Sequence, residues 1–323
     1  MESCELILKS VYTSDLVKFN NSVIYFNDWN DLKQYLFRIN SNKNKWIFRG
    51  LNSDKYELKS SLERSVKEVN RRPIYFNNIY GEYTCNAHNY LNTEDTPNDA
   101  DSLEWLSLMQ HHGAPTNLLD WTYSPYIASY FSVEDIEHKE ISEDKQFCIW
   151  CINETVLLQL CREYFVRKGL KGDFSVHGKQ FNKSELFKEI LNHTFSDNQG
   201  FVLPINPMKR NLRLLSQQGT FTFLGNLRFD FAYNFCNLIH LVKSLTFPTY
   251  HDENIIRKIC IKSTLVDEIR HDLFLMNITA RTLFPGIDGY SKSLKQYISK
   301  LDHQIINKNP WNYDASIEKY NDK

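Results

Sequence analysis

Apolar positions along the chain switch between helical and strand periodicity, and they never settle into a repeat. Trp29, Leu32, Tyr35, Leu36 and Ile39 recur at helical spacing behind a capping candidate at Asn27 or Asp28, which predicts a helix. The run Lys45-Trp46-Ile47-Phe48-Arg49 reads as a short strand stopped by Gly50. Pro73 to Leu91 predicts a Tyr-rich helix, and the acidic, Pro97-containing stretch 92–101 a loop. Ser102 to His112 predicts a second helix, with Leu103, Leu106 and Met109 on one side and Gly113 as its stop. Asn117 to Trp121 reads as a buried strand, and Ser124-Pro125 opens a helix with proline at its first position. Further along come a charged loop over 134–145, a strand at Phe147–Ile152 and an amphipathic helix at about Glu154–Arg167. Strands are expected at Gly200–Leu203, Thr220–Leu224 and Ile256–Ile261, and a last helix near Ser291–Ile306.

Pattern and spacing give one mixed α+β unit over residues 1–323, with helical additions at both ends and no clean linker. Composition sharpens the class. Eleven glycines and nine prolines are too few for a linker-like or collagen-like chain, and 42% hydrophobic residues exclude a disordered one. The net charge of −1 provides no global field for nucleic acid. No apolar run is long enough to span a bilayer, and Met1-Glu2-Ser3-Cys4-Glu5 does not resemble a secretory leader. Seven scattered cysteines, an odd number, suit a reducing compartment, so a cytoplasmic protein without membrane attachment is expected.

Candidate chemistry concentrates between Glu104 and Pro125, where groups that donate, accept or titrate crowd a helix–turn–strand–turn–helix passage. A plainer account exists for single members: Asp120 and Ser124 as helix caps, His112 as a satisfied core histidine. His111 and His112 are adjacent, so on a helix their side chains diverge, and no metal-binding spacing accompanies them. Cys148 and Cys151 have thioredoxin-like spacing but sit in a strand pattern, which sends them to opposite faces. Glycine-rich phosphate loops are missing. Arg71-Arg72 and Lys209-Arg210 read as solvated surface; Phe165, Arg167, Lys168, Lys171 and Lys179 form a candidate basic, aromatic-flanked patch.

The residues also carry a resemblance. Trp46-Ile47-Phe48-Arg49-Gly50, Tyr56-Glu57-Leu58 with Ser60-Ser61 and Arg64, and Glu104-Trp105-Leu106 resemble the FRG-domain family. So do Gln110 to Thr116, Leu118 to Thr122, Ser124-Pro125, Ala128 and Tyr130-Phe131. This family core covers about 45–132, and the strands and helices of 133–323 are expected to belong to the same unit. Arg213 with Gln217-Gln218-Gly219, and Leu283-Phe284-Pro285 with Asp288-Gly289, look like later family features. Asn117 stands where the family usually has arginine.

A more distant similarity joins Phe48-Arg49-Gly50 and Thr122-Tyr123-Ser124 to the first two motifs of arginine-class mono-ADP-ribosyltransferases. That similarity implies an ADP-ribosyltransferase-like mixed sheet and NAD as substrate. Arg49 would bind the dinucleotide, Gly50 would permit close backbone approach, and Thr122 and Ser124 would shape the nicotinamide side. Tyr130 would stack on a ring, His112 and Thr116 would donate from the turn, and Gln218 would touch ribose. The third motif lacks its glutamate at Gln217-Gln218, which leaves Asp120 as the leading carboxylate and Glu104 as an alternative. The implied activity is transfer of ADP-ribose to a nucleic acid or protein acceptor, or cleavage of NAD itself, with a toxin or antiphage-defence role at family level. The competing expectation is a pocket that binds a nucleotide, RNA or a partner without catalysis.

Overall fold

The computed structural model describes residues 23–40, 44–99, 101–169, 199–207, 211–243 and 255–294. Its strands are β1 (Val23–Phe26), β2 (Trp46–Leu51), β3 (Leu118–Thr122), β4 (Gln146–Asn153), β5 (Val202–Ile205), β6 (Gly219–Leu224) and β7 (Ile256–Lys262). They form one mixed sheet in the order β1-β7-β4-β2-β3-β6-β5. β1 runs parallel to β7, and the other neighbours are antiparallel. The fold is α+β.

Alternation in the central strands builds a core on each face of the sheet. Cys148, Trp150 and Ile152 of β4 enter one core, whereas Phe147, Ile149 and Cys151 enter the other. The expected divergence of Cys148 and Cys151 is therefore present. Burial raises the Cys148 thiol to about 12 and Cys151 further still, which suits buried small residues rather than a redox pair. On the first face lie α2 (Ser61–Ser65), α3 (Arg72–Asn86), α4 (Ser102–His111), α6 (Glu154–Arg167) and α8 (Phe231–Lys243). On the second lie α1 (Trp29–Asn40), α5 (Pro125–Val133), α9 (Val266–Leu275) and the short α10 (Ala280–Leu283). The short α7 (Leu212–Ser216) precedes β6.

Local chemistry explains the boundaries near the centre. The Asp28 carboxylate accepts from the Asp31 amide at the start of α1. Gly113 follows α4 at φ +81°, a left-handed conformation suited to a helix stop. Ser124 accepts from the Ile127 amide as the cap of α5, and Pro125 takes the first helical position.

Several expectations change. β1 was not foreseen, because four residues paired with a strand more than two hundred positions away leave little local signal. Gly50 does not stop β2, which continues to Leu51. A Cβ on Gly50 would sit 2.0 Å from the Ala128 carbonyl oxygen and 2.6 Å from the Ser132 amide, so the bare backbone seats α5. Arg72 is buried rather than solvated, and its Nε donates to the Val66 carbonyl. Phe165 is buried in the first core, which removes it from the basic patch. Lys171, Lys179, Lys209, Arg210 and residues 295–306 of the last expected helix lie outside the described residues, while 287–294 are helical.

Gly50→Ala is expected to destabilise the protein by about 1–3 kcal/mol, because backbone atoms of α5 rather than a flexible side chain must yield. Thermal or urea unfolding checks this, and an unchanged midpoint contradicts the packing described.

Candidate functional site

β2 and β3 pair at only one register point, Phe48 opposite Thr122. Past that point β2 continues on β4 alone and β3 on β6 alone, so the sheet opens between them. A backbone carbonyl exposed by such a parting needs another donor. Here Arg49 Nη1 donates to the Asp120 carbonyl oxygen at 2.6 Å. A guanidinium thus spans the gap that ladder hydrogen bonds would otherwise close.

The resulting cleft has a volume of about 380 Å³ and is lined from both helical layers as well as from the parted strands. α4 contributes Ser107, Gln110 and His111; α5 contributes Phe131, followed by Glu134 and Asp135. Asn211, Arg213, Leu214 and Gln217 come from α7 and its flanks, and Phe284 and Lys292 complete the opposite wall.

A chain of hydrogen bonds orders the floor. The Ser61 hydroxyl accepts from the Thr116 amide at 2.9 Å, and the Leu62 amide donates to the Thr116 carbonyl. The Thr116 hydroxyl donates to Gln110 Oε1, and Gln110 Nε2 donates to Asp120 Oδ2 at 2.7 Å. An ionised carboxylate only accepts, so Asp120 and the Thr116 hydroxyl together fix which way the Gln110 amide faces. Arg49 Nη1 lies 3.8 Å from Asp120 Oδ2, which gives the guanidinium a counter-charge. Burial works against the charge on Arg49, and Asp120 offsets part of that penalty. Arg49 Nε is buried with no hydrogen-bond partner among the described residues.

The far wall is cationic and aromatic. The guanidinium of Arg213 lies 4.9 Å from the centroid of Phe284, and Lys292 Nζ lies 4.5 Å from the same ring. Lys292 also meets Glu134 Oε2 at 2.7 Å; burial nevertheless raises the Glu134 carboxyl against that pull. His111 is held below the ordinary histidine value, first by burial, then by His112 and Arg213. Its ring meets that of His112 edge-on at 4.7 Å, so the two rings touch despite the divergence expected from helical spacing, because α4 has ended at His111.

Arg49, Gly50, Asp120 and Thr122 line one cleft. Thr122 is almost fully buried, donates to the Gln217 carbonyl at 2.7 Å and accepts from the Ser124 amide, so it ties β3 to the turn before β6. Ser124, Thr116, Tyr130, His112 and Gln218 stand outside the lining. Ser124 caps α5, Thr116 orients Gln110, and Tyr130 is buried against Phe131. Gln218 turns at φ +46° and accepts from the Tyr123 amide through its carbonyl. Asn117 is buried, and its side chain donates to the Leu224 carbonyl, which binds β3 to β6.

Sequence reasoning missed Gln110, His111, Glu134, Lys292 and Phe284 as lining groups. Ser107, Gln110 and His111 recur at helical spacing directly beside the Leu103, Leu106 and Met109 row, a polar edge to the apolar face of α4. Among the described residues no group of three or more His, Cys, Asp or Glu side chains is placed to hold a metal ion, and no helix is long and apolar enough to cross a membrane.

Because the folded chain holds His111 below its unfolded value near ~6.5, the unfolded chain takes up the proton first as pH falls. Stability from this group is therefore lost as pH drops below that value and through the folded one. An NMR titration should place the His111 midpoint below the ordinary value, and Arg213→Ala should move it upward. A midpoint at or above the ordinary value contradicts this electrostatic picture.

Comparison with known proteins adds a family. Residues 44–141 match the model of the FRG domain family, a span that contains Arg49, Gln110, His111, Asp120, Thr122, Phe131 and Glu134 but not Arg213, Phe284 or Lys292. No curated protein matches the chain, and no solved structure does.

Proposed function

We propose that the cleft binds NAD and breaks its bond to nicotinamide, passing ADP-ribose to water or to a macromolecular acceptor. The observation that carries this reading is the convergence of Arg49, Asp120 and Thr122 on one open cavity, although they come from strands about seventy residues apart. The donor set suits such a ligand. Arg49 Nε is an unanswered buried donor, Phe131 and Phe284 offer ring faces, and Asp120 supplies a carboxylate that remains half exposed. At about 380 Å³ the cavity falls at the small end of ligand sites, so it seats one nucleotide half while the other projects outward.

In the reaction the C1′–N bond breaks with its electron pair passing to the pyridinium nitrogen, which leaves as neutral nicotinamide, and an oxygen of water or acceptor forms the new bond and releases its proton to solvent. Asp120 faces the positive charge that develops on the ribose. Its negative charge stabilises that state more than the ground state, which is the condition for acceleration. Gln110 holds the carboxylate in place at 2.7 Å, and Arg49 fixes the strand that carries it. The missing glutamate at Gln217-Gln218 is then answered from β3 rather than from the turn before β6.

A second reading, binding of a nucleotide without turnover, is favoured by one feature: Asp120 is already engaged by Gln110 and Arg49. Incubation of the purified chain with NAD, with release of nicotinamide followed over time, separates the two. Asp120→Asn keeps the shape and the backbone carbonyl that Arg49 needs, and it should lower turnover at least 100-fold with the fold unchanged. Arg49→Ala should abolish NAD binding, and it also leaves the Asp120 carbonyl without its donor, at a stability cost of about 1–3 kcal/mol. Turnover by Asp120→Asn at the wild-type rate removes Asp120 from the chemistry. Calorimetric NAD binding with no nicotinamide release supports the second reading.

A further inference from the structure

The charges around the cleft are not matched in the same way on its two sides. Arg49 comes with a partner: one arm of its fork is spent on the Asp120 carbonyl, and the carboxylate lies 3.8 Å away. Lys292 is likewise met by Glu134 at 2.7 Å. Arg213 has no ion pair among the described residues. Its guanidinium instead lies 4.9 Å from the centroid of Phe284, and Lys292 Nζ lies 4.5 Å from the same centroid. His111, close enough to feel the charge of Arg213, lines the same cavity.

Two cations within 5 Å of one ring centroid repel each other, and the cost falls when an anion sits between or before them. Stacking on a ring face leaves the edge of a guanidinium pointing outward with paired N–H groups. That edge matches the oxygens of a phosphate in a two-point fashion that an ammonium cannot reproduce. An imidazole alongside can add a third donor.

We propose that Arg213, backed by Phe284 and flanked by Lys292 and His111, is the seat for the diphosphate of a bound nucleotide, a subsite separate from Arg49. This rests on the reading of the cleft as a nucleotide site and divides its labour. Arg49 keeps the strands parted and orients Asp120; Arg213 takes the ligand's negative charge. The Arg213 wall lies beyond residues 44–141, the segment that matches the FRG family model.

The test uses ADP and adenosine, neither of which can release nicotinamide, with binding to the full chain measured by calorimetry. Wild-type protein should bind ADP at least tenfold more tightly than adenosine. Arg213→Ala should bring ADP to the adenosine level, and Arg213→Lys should recover only part of the difference. Lys139→Ala removes a surface cation paired with Glu137, away from the cleft lining, and should leave ADP affinity unchanged. Equal ADP affinity in wild type and Arg213→Ala overturns the subsite, as does a wild-type chain that fails to bind ADP or that prefers adenosine. NAD turnover, followed separately, keeps the two readings apart. Weakened ADP binding in Arg213→Ala with no turnover by wild type leaves the subsite standing and removes the NAD chemistry. Unchanged KM and turnover for NAD in Arg213→Ala does the reverse.

Discussion

A single charged side chain stands where backbone pairing stops. β2 and β3 meet at Phe48 and Thr122 and then separate, and the Asp120 carbonyl is answered by Arg49 instead of by a strand amide. Without that bond the gap would hold an unsatisfied carbonyl, or the strands would be drawn together and the cleft lost. Gly50 makes the same arrangement possible from the other side, because α5 packs directly on its backbone and so fixes where β2 lies. The Phe48-Arg49-Gly50 tripeptide therefore shapes both the sheet and its opening. Phe48 fills the second core, Arg49 spans the opening and Gly50 admits the helix.

The polar residues around this opening work as a graded support. Ser61 and Thr116 are tied together, Thr116 orients Gln110, and Gln110 holds Asp120. Each link removes an alternative conformation from the next, so the half-exposed carboxylate is held in advance of any ligand. On the opposite wall the groups are held differently. Arg213 and Lys292 rest on Phe284, and Lys292 is also paired with Glu134. The cleft thus presents a hydrogen-bonded acidic side and a cationic, aromatic side.

Much of the fold could be read from the chain because the signals were local. Regular spacing marked α1 and α6, and the Ser124-Pro125 pair marked the start of α5. β1 carried no such signal, since its pairing with β7 is decided by distant residues. Gly50 was misread for the same reason: its role depends on a helix about eighty residues further on. At the site, Arg49, Asp120 and Thr122 were legible as chemistry, and the structure brings them to one cavity. His111 was passed over for its neighbour because adjacent histidines look equivalent until the end of α4 is known to the residue. Arg213 and Phe284 were seen only as scattered family features and Lys292 not at all, since nothing in their spacing reveals that they share one wall.

The most direct measurement is a crystal structure of the chain with a non-hydrolysable NAD analogue. The ligand is expected in the opening between β2 and β3, its ribose facing Asp120 and its diphosphate against Arg213. A ligand bound elsewhere, or strands that pair past Phe48 and Thr122 with no opening between them, would contradict the proposed NAD site.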